Sequence, residues 1–163
     1  FNGEYIRAMS LDKFAGLAEP YIRQAVKNPG ISVLDIAALL QPRCEKLTDI
    51  QEKVDFFDEL PEYDRALYVH KKSKTDEAVS LEMLKAALPV LESLEAWNQE
   101  SIHDALTGLA AKLGVKNATL MWPVRIAVSG RAVTPGGAVE ICRILGKAEC
   151  LRRIRRGIEK LSA

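Results

Sequence analysis

The chain has 163 residues, of which 48% are hydrophobic and 28% charged, and its formal net charge is +1. This length and composition allow one ordinary hydrophobic core or two small ones. No apolar stretch reaches the roughly 18 residues of a membrane span, so we expect no transmembrane helix, no signal peptide and a cytoplasmic setting.

The spacing of apolar residues predicts an all-α chain. Apolar side chains recur at intervals of three and four, and β-branched residues never alternate with polar ones over the length of a strand. The polar stretch from 59 to 75 lacks regularly spaced large apolar residues. We therefore expect two small helical bundles, residues 1–70 and residues 71–163.

Capping residues and prolines locate the helices of the first bundle. Ser10 is predicted to cap one helix, and Pro20 to begin the next segment. Another helix is expected to end near Gln41. The pattern Thr48-x-x-Gln51 predicts a capping box that opens the last helix of this bundle.

The second bundle is predicted to begin with a long helix capped by Thr75 or Asp76, in which Pro89 kinks or restarts the helix. The next helix follows Asn98 and ends at Gly114. Three more helices are predicted at 121–128, 135–145 and 148–161.

The positions of the cysteines and histidines argue against a metal site and against a disulfide framework. Cys44, Cys142 and Cys150 form no C-x-x-C pair, and His70 and His103 lie far apart in the chain. These spacings provide neither a ligand cluster for a metal nor a disulfide framework. We expect no metal site and no cofactor bound by this chain itself.

Charge is distributed unevenly along the chain. Residues 125–163 contain nine Lys and Arg against three acidic residues, a local charge of +6 that leaves −5 for residues 1–124. A basic end on an acidic chain is typical of a protein that meets phosphates at one end, although basic helix faces are often only solvated.

Three motifs in the last third carry a family resemblance: Pro123-Val124-Arg125-Ile126-Ala127-Val128-Ser129-Gly130, Thr134-Pro135-Gly136 and Leu145-Gly146-Lys147-Ala148-Glu149. Together they resemble the C-terminal end of bacterial glutamyl-tRNA synthetases. There a helix with P-L-R-x-A-L-T-G precedes a turn, a proline-led helix ending in L-L-G-K-E and an arginine-rich helix. The segment Phe1-Asn2-Gly3-Glu4-Tyr5-Ile6-Arg7 is similar to the family segment that enters the helical half, so the resemblance spans nearly the whole chain.

The resemblance implies the all-α, anticodon-binding half of a class I aminoacyl-tRNA synthetase. The catalytic half, which uses ATP and Mg²⁺ to ligate glutamate to tRNA, would lie before residue 1, in keeping with a chain that opens on Phe1 without methionine. The chain alone is expected to be inactive and monomeric. Its implied partner is the anticodon loop of glutamate tRNA, with neither DNA nor membrane as a partner.

Arg43 is the first candidate binding residue. A guanidinium that leaves a helix end can donate paired hydrogen bonds to the edge of an unpaired base. Its position resembles that of the family arginine at the third anticodon base, which accompanies enzymes that charge only glutamate tRNA. The structural alternative is an arginine bonded to a carbonyl or to Glu45.

Arg125 and the turn Thr134-Pro135-Gly136 are implied by the resemblance to face the anticodon. Arg125 alternatively ties two helices together. In the turn, Thr134 is expected to cap a helix with Pro135 at its first position, which leaves backbone N–H groups for a base or phosphate. Gly137 departs from the family pattern, where a leucine-like side chain is usual.

Arg152, Arg153 and Arg156 are candidate phosphate contacts on the last helix, with a solvated basic face as the alternative. Trp97 and Trp122 offer base stacking or, alternatively, core packing.

The stretch Lys71-Lys72-Ser73-Lys74-Thr75 resembles the KMSKS loop that holds ATP phosphates in class I synthetases. No nucleotide-binding strands or glycine-rich motif accompany it, so we interpret it as a solvated loop between the two bundles.

A different function class remains open from the sequence. A helical protein-interaction module would use apolar grooves, and its arginines would be surface residues without base readout. A large exposed apolar patch would favour that alternative.

Overall fold

The computed structural model describes residues 2–163; Phe1, which opens the segment compared with the family, lies outside the described residues. Over residues 2–163 the chain forms nine α-helices and five short 3₁₀ turns, and no strand. One isolated antiparallel bridge joins His70 and Thr75. The predicted all-α fold is confirmed.

The chain divides into two compact units. The first takes in the described residues up to Leu60 together with Val133–Gly136, and the second consists of Pro61–Ala132 and Gly137–Ala163. The division after residue 70 that the sequence suggests stays a prediction.

The first unit contains four helices: α1 (Gly3–Ala8), α2 (Leu11–Ala25), α3 (Val33–Leu40) and α4 (Ile50–Val54). Ser10 caps α2 as predicted, because its hydroxyl accepts a hydrogen bond from the Lys13 N–H at 3.2 Å. Phe14 and Ile22 of α2 are buried in the core of this unit, as are Ile36, Leu40, Phe56 and Phe57.

Two predictions for the first unit are wrong. Pro20 lies inside α2 and begins no new segment, since the buried stripe of Phe14, Ala18 and Ile22 continues past it and its packing outweighs one lost hydrogen bond. Thr48 forms no capping box, because a 3₁₀ turn at Leu47–Asp49 leads directly into α4.

The second unit contains five helices: α5 (Glu77–Glu92), α6 (Gln99–Leu113), α7 (Asn117–Ser129), α8 (Ala138–Leu145) and α9 (Lys147–Ser162). Asp76 caps α5, Asn98 caps α6 in a reciprocal bond pair with Ser101, and Gly114 ends α6 at φ +70°, as predicted for these positions. Pro89 does not restart the helix, because α5 continues without interruption to Glu92.

Helix α7 is the centre of the second unit. Helices α5, α6, α8 and α9 all pack against it. Its buried residues include Leu120, Val124, Ala127 and Val128, none of which is exposed to solvent. The side chains of α7 therefore project from a helix that four other helices hold in place.

Candidate functional site

Arg43 lies on the surface of the first unit, at the end of the 3₁₀ turn Gln41–Arg43 that continues from α3. Its Nη1 donates a hydrogen bond of 2.8 Å to the carbonyl oxygen of Leu39. The Gln41 side chain holds this turn by donating to the carbonyls of Ile6 and Met9 at 3.0 and 2.8 Å. The carbonyl contact expected from the structural alternative is present, and it leaves the guanidinium exposed.

The sequence predicts that a helix begins at Pro135, but in the structure the segment Val133–Gly136 lies before the helix. Thr134 Oγ1 donates to the Gly136 carbonyl oxygen at 2.8 Å, and α8 begins only at Ala138. Gly137 is the N-cap, and its N–H donates to Glu140 Oε1 at 3.0 Å. The predicted cap by Thr134, with Pro135 at the first helical position, is therefore wrong. The helix begins at Ala138, and the Glu140 carboxylate accepts the hydrogen bond from the N-cap residue.

Arg125 is half-buried on α7, and the loop that follows the helix holds its guanidinium. Nη2 donates to the carbonyl oxygen of Ala132 at 2.7 Å, and Nη1 donates to that of Arg131 at 3.2 Å. The guanidinium carbon lies 4.7 Å from the centre of the Trp122 ring, within the range of a cation–π contact. Burial lowers the pKa of Arg125.

Trp122 is packed between groups of its own unit. The His70 ring stacks on it with 3.6 Å between ring centroids and 3° between planes. Its Nε1 donates to the carbonyl oxygen of Leu67 at 2.9 Å. Trp97 is half-buried and donates to the Cys142 carbonyl at 3.0 Å. Both indole N–H groups are thus engaged within the protein, while both side chains remain half-buried.

A small open pocket of about 170 Å³ lies in the second unit beside these groups. Its lining includes Ser73, Met121, Trp122, Arg125 and Gly137. A Cβ atom added to Gly137 would meet nothing within 4 Å, so the space a larger side chain would occupy is open. The lining is mostly apolar with one guanidinium, which suits a flat group that carries hydrogen-bond acceptors at its edge.

The arginines on the exposed face of α9 each have a carboxylate partner. Arg152 donates to both oxygens of Glu149 at 2.8 Å. Arg155 meets Glu92 at 3.1 Å and Arg156 meets Glu159 at 3.3 Å. The hydrogen bond from Arg152, together with one from Arg153, lowers the pKa of Glu149 to about 2. This face is therefore less positive than its arginine count indicates.

Arg153 corrects the expected row of phosphate contacts. Its side chain is 0% exposed. Nε donates to Glu149 Oε2 at 2.7 Å, and Nη1 donates to the Val128 carbonyl oxygen at 2.6 Å. Burial lowers its pKa. Its spacing from buried Cys150 and Gly157 puts it on the inward stripe of α9, a signal that was readable in the sequence.

A family model described as an anticodon binding domain matches residues 13–158, most of the chain. The chain belongs to this anticodon-binding domain family. The membership expected from the three C-terminal motifs is confirmed.

Similar curated proteins are glutamate-tRNA ligases. The enzyme of Clostridium tetani is 55% identical over 160 residues, which cover 98% of the chain and 33% of that protein. The enzyme of Lachnoclostridium phytofermentans is 50% identical over 162 residues, 99% of the chain and again 33% of that protein. The chain thus spans about a third of the length of these relatives.

Solved structures agree on the fold. A glutamate tRNA ligase from Elizabethkingia meningosepticum superposes with a TM-score of 0.81 at 24% identity, covering 98% of the chain and 31% of that protein.

The residues described here contain no helix that is both long and apolar enough to cross a membrane. They likewise contain no group of three or more His, Cys, Asp or Glu side chains that could hold a metal ion.

Proposed function

We propose that the chain is the anticodon-reading part of a glutamate-tRNA ligase and that it binds the anticodon loop of glutamate tRNA. The observation that carries this proposal is the placement of Arg125, whose guanidinium is oriented by the carbonyls of Arg131 and Ala132 and lines the small open pocket beside Trp122. Membership of the anticodon-binding family and the ligase relatives support it.

By this proposal the whole ligase joins glutamate to tRNA with ATP and Mg²⁺ in a part outside this chain, and the chain contributes specificity. Unpaired bases expose their edges, and a planar guanidinium donates paired hydrogen bonds to them. Each correct contact adds roughly 1–3 kcal/mol of discrimination, by analogy with base readout in DNA. The cytoplasmic setting and the monomeric state belong to the same proposal.

The candidate residues contribute in different ways. Arg43 is exposed with a partly engaged guanidinium and is proposed to read one base. The Thr134-Pro135-Gly136 turn is proposed to approach a second base through its backbone and not as a helix start. Arg152 and Arg156 would contact phosphates only by competing with their carboxylate partners. Arg153 has no place in the proposed contact surface, because it is buried.

The protein-interaction alternative has less support. The exposed large apolar side chains among the described residues come from five separate elements or turns: Tyr5, Leu34, Val69, Leu113 and Val133. No described helix presents two of them, whereas a docking groove needs several on one face.

The test is binding of the chain to glutamate tRNA and to a version with a substituted anticodon, at several salt concentrations. We expect the unaltered chain to prefer the native anticodon and Arg43→Ala to lose part of that preference. Arg155→Ala is the matched control, because it removes an equally charged exposed side chain from outside the proposed surface. Equal affinity of the unaltered chain for both RNAs would refute the proposed reading of bases.

A further inference from the structure

The lysine-rich segment 70–75 is a closed hairpin and not a loose loop. The backbones of His70 and Thr75 exchange two hydrogen bonds, each of 3.1 Å, and the Lys74 N–H donates to the Lys71 carbonyl oxygen at 3.0 Å. His70 Nδ1 lies 2.8 Å from Ser73 Oγ inside the turn. Backbone hydrogen bonds therefore join the two ends of this six-residue segment.

This lysine hairpin, residues 70–75, is fastened to α7. Thr119 Oγ1 donates to the Ser73 carbonyl oxygen at 2.7 Å, and the His70 ring stacks on Trp122. Ser73 and Thr75 are each only 6% exposed. The hairpin is thus mounted on the same helix that carries Arg125, and Ser73 and Arg125 line the same pocket.

The lysines of the hairpin, Lys71, Lys72 and Lys74, are exposed, and no acidic side chain from residue 2 to residue 163 pairs with them. The acids that follow in the chain are engaged elsewhere, since Asp76 caps α5 and Glu77 pairs with Arg65. The exposed arginines of α9, by contrast, all have carboxylate partners.

Lys74 has a backbone conformation that lysine does not favour. Lys74 has φ +58° and is the one residue other than glycine with a positive φ in the described part of the chain. Glycine or asparagine adopts this left-handed conformation at lower energy. A lysine at this position is locally disfavoured, and its side chain is exposed like those of Lys71 and Lys72.

We propose that the lysine hairpin binds the phosphate backbone of RNA next to the pocket of Arg125. Three ammonium groups without ion-pair partners, on a hairpin whose backbone is fastened to α7, attract phosphates and displace their counterions without reading sequence. Because the hairpin and Arg125 share one helix, phosphate binding there holds the RNA while the guanidinium meets a base. This inference rests on the proposed function for the identity of the RNA.

The experiment measures binding of the 163-residue chain to a glutamate tRNA transcript and to the same transcript with its anticodon replaced, from low to moderate salt. The variant carries Lys71→Gln, Lys72→Gln and Lys74→Asn, since asparagine tolerates the left-handed conformation. We expect affinity for both RNAs to fall on the order of tenfold and the log–log salt slope to become shallower by about 3, one for each lysine, with the preference between RNAs unchanged.

The matched control carries Lys13→Gln, Lys85→Gln and Lys112→Gln, which remove the same charge from three other exposed positions. Circular dichroism establishes that both triple variants are folded. We expect the control to retain a salt slope within about 1 of the unaltered chain. An equal loss in both variants, or no loss in the hairpin variant, overturns the hairpin proposal.

The two proposals fail separately. If the unaltered chain prefers the native anticodon and the hairpin variant matches it in affinity and slope, only the hairpin proposal is overturned. If the unaltered chain binds both RNAs equally and the hairpin variant still weakens both, the hairpin proposal stands and the reading of anticodon bases falls. No binding of either RNA at low salt overturns both.

Discussion

Arg153 Nη1 donates a hydrogen bond of 2.6 Å to the carbonyl oxygen of Val128, so a fully buried guanidinium on α9 is joined to the last turn of α7. A helix leaves its last carbonyl groups without partners in the helix itself, and Arg153 satisfies one of them. The residues directly after this turn provide the carbonyls that orient Arg125. Arg153 therefore supports the end of the helix on which the proposed binding residue is mounted.

Replacing Arg153 with methionine tests this support. The substitution fills much of the volume but leaves the Val128 carbonyl unpaired and Glu149 without one of its partners. We expect the free energy of unfolding to fall by about 2–4 kcal/mol, in the range for breaking a buried ionic and hydrogen-bonded group. Urea denaturation measures the change. The control Arg155→Met, at an exposed ion pair, should cost less than about 1 kcal/mol, and equal effects of the two would contradict the role of Arg153.

Glu149 provides a pH-dependent contribution to stability. Its pKa is lowered from 4.5 to about 2 by hydrogen bonds from Arg152 and Arg153. A depressed folded-state pKa stabilises the fold above the unfolded-state value, and this stabilisation is lost as the pH falls toward the folded-state value. We expect the stability difference between the unaltered chain and Glu149→Gln to be full above about pH 4.5 and to shrink down to about pH 2. Urea unfolding of both proteins at a series of pH values measures it; a difference that is constant with pH would argue against the prediction.

Gly157 is needed for the close approach of α9. A Cβ atom there would lie 2.7 Å from Tyr68 Oη, which is itself held by a 2.7 Å bond to Tyr63 Oη. We expect Gly157→Ala to destabilise the protein by about 1–3 kcal/mol through overpacking, despite the higher helix propensity of alanine. Thermal and urea unfolding measure this change.

Gly108 provides the comparison for Gly157, because it lies inside α6 and a Cβ atom there would meet nothing within 4 Å. Gly108→Ala should stabilise the chain by about 0.5–1 kcal/mol, through helix propensity alone. The same sign for both substitutions would show that packing at Gly157 is looser than the distances indicate.

Arg125→Lys tests the planar guanidinium. A lysine retains the charge but lacks the planar fork with which Arg125 bonds the Arg131 and Ala132 carbonyls. We expect the preference for the native anticodon to fall by about 1–3 kcal/mol, with stability changed by less than about 1 kcal/mol. RNA-binding titrations of the variant and of Arg155→Lys provide the comparison. An unchanged preference would assign Arg125 a structural role only.

Much of the fold was predictable because its signals are local. The hydroxyl of Ser10, the carboxylate of Asp76 and the amide of Asn98 each bond an N–H three residues along the chain. Such a bond needs no distant partner, so a short pattern predicts it. The predictions for Pro20 and Thr48 were wrong where a continuous apolar stripe or a neighbouring 3₁₀ turn outweighed the local preference.

By itself the sequence determined the all-α class, most helix ends and the membership of an anticodon-binding family, because these depend on short-range hydrogen bonds, helical periodicity and contiguous motifs. Only the tertiary structure decided which positively charged side chains are exposed and free of ion pairs. Arg153 is buried against α7, Arg152 and Arg156 are paired, and the lysine hairpin remains uncompensated. The exposure and pairing of a charge depend on side chains brought together by packing, and those neighbours are distant in the chain.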